Sequence, residues 1–117
     1  MLSRQVISSD TMNGMADLPT PERVARFSEA LAAPTRLVVL RVLMQGPRTY
    51  TDLFNEIGEG VMSRGSVYEA LRDLKRLGYV LDDAPDDVVR RAKRTLFWAD
   101  KALVAEDLGA TVAYLVV

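Results

Sequence analysis

Apolar residues recur along this chain at three- and four-residue intervals in blocks, and residues that start or stop helices bound each block, so the pattern predicts five helices. In the first, Val24, Phe27 and Leu31 follow Thr20-Pro21-Glu22, which offers a capping hydroxyl, a proline suited to the first helical position and an acid in the first turn. That helix is expected to run to about Ala32. Pro34 then opens a second, strongly apolar helix through Leu37, Leu40, Val42, Leu43 and Met44, which Gly46-Pro47 ends. Thr49-Tyr50-Thr51-Asp52 has the form of a capping box and starts a third helix of about two turns, with Tyr50, Leu53 and Ile57 on one face and Gly58 as its stop. Ser63 caps a fourth, whose Val67, Leu71 and Leu74 repeat at helical spacing before Gly78.

Beyond Gly78 the period changes. Tyr79-Val80-Leu81 and Thr95-Leu96-Phe97-Trp98 are β-prone runs on either side of the turn-rich Asp82 to Asp87, and they predict an antiparallel hairpin with a long loop. Asp100 is placed to cap a last helix bearing Leu103, Val104, Leu108, Val112 and Leu115. Residues 1–19 are polar and aperiodic and read as a flexible arm with a short strand at Val6-Ile7; residues 20–117 read as one domain. The fold class expected is mainly α with a small antiparallel β-hairpin wing, a winged helix-turn-helix.

Composition narrows the chemistry. The chain has neither cysteine nor histidine. Disulfides, thiolate or imidazole metal ligands and imidazole base catalysis are thereby excluded. There is no nucleophile-base pair, glycine-rich phosphate loop or metal constellation to support an enzyme, so no enzymatic activity, metal or cofactor is expected. No apolar run reaches the roughly 18 residues of a membrane span, and a cytoplasmic location without membrane contact is the expectation. Net charge is −1. Positive charge is nonetheless concentrated: between Val61 and Trp98 eight basic residues stand against six acidic ones.

Helix, tight connection, helix, glycine and hairpin from Thr49 to Trp98 form a unit suited to DNA. One helix braces a second whose outer face enters the roughly 12 Å wide major groove, while the hairpin reaches neighbouring phosphates. In the fourth helix the inner stripe leaves Arg64, Gly65, Ser66, Tyr68, Glu69, Arg72, Asp73, Lys75 and Arg76 outside. Ser63, Arg64 and Ser66 form its first turn, where a guanidinium can read guanine and small residues permit close backbone approach to a phosphate. Glu69 can accept from cytosine, Tyr68 can donate to phosphate, and Arg72 continues the row. The competing reading is an ordinary solvated helix face. Arg90, Arg91, Lys93 and Arg94 stand beside the hairpin turn, as expected of a wing on phosphates, and pairing with Asp82, Asp83, Asp86 and Asp87 is the alternative.

Two segments carry a family resemblance. Ala30 to Leu43, ALAAPTRLVVLRVL, resembles the signature that opens ArsR-type winged-helix regulators. Met62 to Val80, MSRGSVYEALRDLKRLGYV, is similar to the recognition-helix pattern that those proteins share with MarR- and PadR-type regulators. The resemblance implies a homodimer formed by the first and last helices, with two recognition helices in successive major grooves. The missing Cys and His ligands set this chain apart from the metal-sensing members. The last helix points to a dimer independently, since its apolar surface is larger than monomers usually expose. Phe27, Leu31, Leu103, Leu108, Val112 and Leu115 are the expected interface residues.

The resulting expectation is a sequence-specific double-stranded DNA-binding transcriptional regulator, a repressor acting as a homodimer on a palindromic operator. An architectural or recombination accessory protein of plasmid or phage type would use the same groove chemistry at several adjacent sites. A winged helix serving protein-protein contact, compatible with the acidic pI of 5.4, is a third reading.

Overall fold

The computed structural model describes residues 20–84 and 95–117. Among these residues, five helices and a three-stranded antiparallel sheet follow in the order α1 (Glu22–Leu31), α2 (Pro34–Gln45), β1 (Arg48–Thr49), α3 (Tyr50–Ile57), α4 (Arg64–Leu77), β2 (Val80–Asp82), β3 (Leu96–Ala99) and α5 (Lys101–Val116). The winged helix-turn-helix class expected from the sequence is the class found. The arm at residues 1–19 and the hairpin connection at residues 85–94 lie outside the described residues, and with them Arg90, Arg91, Lys93 and Arg94.

Local chemistry sets most helix ends. Thr49, Ser63 and Asp100 each accept a hydrogen bond from a backbone N–H three residues on, at Asp52, Ser66 and Leu103, satisfying donors that a helix start leaves orphaned. Pro34 occupies the first turn of α2, where its missing N–H costs nothing. Gly78 closes α4 in the left-handed region at φ 93°, which lets Tyr79 N–H return to the Leu74 carbonyl.

The start of α1 differs from expectation. Pro21, not Thr20, is the N-cap; its carbonyl accepts from Ala25 N–H, and no side chain caps the helix. Thr20 therefore lies one residue too early to cap it.

The core gathers one face of each helix around α2 and α4. Val39, Leu43, Leu53, Val67, Leu74, Tyr79 and Val80 are fully enclosed, with Phe27, Ala30, Leu71, Ala70 and Val104 close behind. The sheet order is β1-β3-β2, pairing Thr49 with Leu96 on one side of β3 and Leu81 with Trp98 on the other. The hairpin was expected; its third strand, β1, was not. Two residues are too few to show alternation, and β1 exists through its pairing with β3 nearly fifty positions away. This strand anchors the start of α3 to the wing.

Candidate nucleic-acid interface

α3 and α4 form the helix-turn-helix. Leu53 and Phe54 of α3 bury against the core beside Met62 and Val67, which fixes the crossing of the two helices. A polar tie reinforces it, because the Tyr50 hydroxyl donates to the Arg64 carbonyl at 2.6 Å. At the entrance to α3, Arg48 Nε reaches Glu56 Oε1 at 2.7 Å, and this guanidinium holds the Glu56 carboxyl below its ordinary pKa.

In α4, Val67, Ala70, Leu71 and Leu74 face inward, so the phase read from the sequence is the phase adopted. Arg64, Tyr68 and Arg72 follow one another at four-residue spacing along the exposed side, flanked by Gly65 and Glu69. The first turn is ordered by its hydroxyls: Ser63 Oγ accepts from Ser66 N–H and donates to Ser66 Oγ, both at 3.0 Å. A Cβ on Gly65 would meet nothing nearer than Ser63 Oγ at 4.0 Å, leaving this turn open to a large partner. The Arg64 guanidinium lies 4.3 Å from the centre of the Phe54 ring, a cation–π contact from one helix to the other.

The remaining outer residues of α4 are committed to the protein itself. Asp73 meets Arg36 at 3.1 Å, Arg76 meets Glu29 at 2.8 Å, and Lys75 meets Asp82 at 2.7 Å. Asp82 is thus paired toward α4. Arg72 approaches Asp73 at 3.7 Å with its side chain largely in solvent. Among the described residues Arg64 and Glu69 make no ion pair, so the first two turns of α4 present unpaired charge while the last two are neutralised.

The expected interface residues divide. Leu31, Leu108, Val112 and Leu115 are exposed large side chains, and Leu103 packs partly against the core. Phe27 is a correction: it is only 4% exposed and meets Tyr79 edge-on at 5.7 Å, so it belongs to the subunit's own core. α1 packs against α5, and Phe27 lies on the buried face of α1 with Val24 and Ala30.

Sequence reasoning missed Asp107. It is completely buried, with Oδ2 accepting from the Tyr79 hydroxyl at 2.6 Å and Arg26 Nε at 3.0 Å, and with Oδ1 3.3 Å from Arg23 Nε. Burial and the hydrogen bond to Asp107 push the Tyr79 phenol up to about 12. The available signal was phase: Asp107 lies three residues after Val104, and these two are the buried residues of α5.

No family model matches the chain. It is 40% identical over 67 residues to the HTH-type transcriptional regulator NmtR of Mycobacterium tuberculosis, a match covering 57% of this chain. The chain spans about half the length of that curated relative, 53%. Among solved structures, an ArsR family transcriptional regulator superposes with a TM-score of 0.61 at 23% identity, over 82% of this chain and 89% of the other. NolR from Sinorhizobium fredii gives 0.58 at 23%, over 94% and 92% of the two chains. A homodimeric winged helix-turn-helix DNA-binding domain from Mycobacterium bovis gives 0.57 at 23%, over 93% and 89%. In fold, then, the chain is a winged helix-turn-helix protein, similar to solved structures that include an ArsR family transcriptional regulator, and over more than half its length it is similar in sequence to a helix-turn-helix transcriptional regulator.

Proposed function

We propose that this protein is a DNA-binding transcriptional regulator that acts as a homodimer on a palindromic operator and represses by occupying it. The observation that carries the reading is the division of α4. One side is locked into the core, Asp73, Lys75 and Arg76 of the last turns are neutralised by ion pairs, and the first two turns present Arg64, Tyr68 and Glu69 to solvent, followed by the exposed Arg72, on a brace supplied by Tyr50 and Phe54. A helix held this way meets base edges without first having to order itself.

In this reading Arg64 and Glu69 contact bases, Ser63, Ser66, Tyr68 and Arg72 contact the backbone, and Arg90, Arg91, Lys93 and Arg94 bring the wing onto phosphates. Leu108, Val112 and Leu115 join two copies through α5, with Leu31 at the margin. The homodimeric M. bovis domain supports such an assembly for this fold. The exposed face of α5 supports it for this chain. Neither cysteine nor histidine is present to bind a metal effector. Among the described residues no helix is long and apolar enough to cross a membrane, and a cytoplasmic place suits a protein that reads DNA.

Selection of bound sequences from a random duplex library, at two salt concentrations, tests this function. The expected product is an inverted repeat whose half-sites lie about one helical turn apart. Failure to enrich any sequence at low salt refutes it.

A further inference from the structure

α5 carries apolar residues all round. Leu108, Val112, Tyr114, Leu115 and Val116 are exposed, whereas Val104 and Asp107 are buried. A helix of this kind can turn about its axis and still offer hydrophobic surface to the core, so its hydrophobic pattern does not fix its orientation. A buried carboxylate does. It must meet its cations and donors or remain uncompensated, which makes its position far more exacting than that of an apolar side chain.

Tyr79 is where this requirement reaches α4. Its backbone N–H donates to the Leu74 carbonyl in the last turn of α4, and its carbonyl accepts from the N–H of Asp100, the cap of α5. Its hydroxyl donates to Asp107 two turns further along α5. The ring is fully enclosed, with Phe27 edge-on at 5.7 Å and the Arg26 guanidinium 5.9 Å away. The backbone bonds alone tie α4 to the start of α5 and leave a pivot there. The hydroxyl bond adds a second point on α5, and two points define an angle. Arg26 and Arg23 of α1 hold Asp107 from the other side.

We infer that Tyr79 and Asp107 are a positioning pair that fixes the angle between α4 and α5, and through it the spacing at which a dimer accepts two half-sites. The consequence for half-site spacing rests on the function proposed above; the angle within one chain does not. A pair present only for stability would be a poor choice, since apolar replacement of buried ion clusters is often neutral or stabilising.

The chain's lack of cysteine makes the test direct. Nitroxide labels on Arg72→Cys in α4 and Ala113→Cys in α5, both exposed positions, report the distance between the helices by pulsed electron resonance. Mixing with excess unlabelled chain isolates the distance within one chain. The otherwise unsubstituted protein should give one narrow distribution, and the same labels in Tyr79→Phe and Asp107→Asn should give broadened or displaced ones. Tyr79→Phe keeps the ring and the arginine pairs, so it decides the matter should Asp107→Asn fail to fold. A melting temperature that falls while the distribution stays unchanged in centre and width shows a purely structural role and overturns the inference. In parallel, unlabelled protein is offered inverted repeats of varied spacing. The native chain should enrich one spacing and Tyr79→Phe several, while an unaltered preference in Tyr79→Phe also overturns it. A broadened distribution together with no enrichment by the native chain supports the positioning pair and refutes the proposed function instead.

Discussion

Leu108→Glu with Leu115→Glu separates assembly from folding, because the two side chains are 48% and 74% exposed and lie outside the buried core cluster. Burying a whole leucine gains about 1.5–3 kcal/mol. Scaled by those exposures, complete burial of both in a dimer stabilises it by roughly 2–4 kcal/mol per chain. A two-fold interface repeats every substitution, so their loss removes about 4–7 kcal/mol from the assembly, or roughly three to five orders of magnitude in its dissociation constant. Four carboxylates brought together add repulsion. A folded monomer is expected, its melting temperature lowered by several degrees because the buried remainder of the two side chains contributes about 1–2 kcal/mol to the subunit. Its operator affinity should fall by about 10²–10⁴, because the second half-site contact ceases to be intramolecular. Sedimentation velocity at micromolar concentration and operator titration on the same samples read both effects. The reasoning fails if the native chain is already monomeric at that concentration, or if the monomeric variant binds operator undiminished.

Arg64→Ala should cost about 1–3 kcal/mol of binding and relax preference at one base position, and an unchanged sequence logo removes α4's first turn from base reading. Arg94→Ala, by contrast, should weaken all sequences alike and lower the salt slope by about one, measured by titration across salt concentrations. Leu71→Ala should destabilise by roughly 2–5 kcal/mol, given its place on the buried face of α4; an unaltered melting curve would contradict that burial. The folded Tyr79 pKa of about 12 lies above the ordinary value of 10. Its contribution is therefore complete below pH 10 and lost as pH rises toward 12, at up to about 1.4 kcal/mol for each pH unit between them. Denaturant midpoints from pH 9 to 12 should fall more steeply for the native chain than for Tyr79→Phe, and parallel curves would exclude this linkage.

What the sequence disclosed was mostly local. Thr49, Ser63 and Asp100 act on N–H groups three residues away, and Gly78 acts on its own backbone, so a short window contains cause and effect. The inward stripe of α4 is legible for the same reason, and with it the row from Arg64 to Arg72. Asp107 was illegible because its partners Tyr79 and Arg26 stand 28 and 81 residues away, and because apolar residues all round α5 obscure the helix phase. Phe27 was legible as part of the apolar stripe of α1, but a stripe does not say whether a subunit's own core or a second copy covers it, and the core covers Phe27. β1 has no local signature at all.

Arg64 and the ring beneath it belong to different helices, and this constrains redesign. Phe54 is nearly hidden partly because the guanidinium lies over it. Grafting another protein's α4 onto this scaffold would carry over a new residue at position 64 without the platform it rests on, and would leave an aromatic face bare between α3 and α4. Under the proposed base reading, a change of specificity is a change at two positions, 54 and 64, one supplying the hand and the other the wrist.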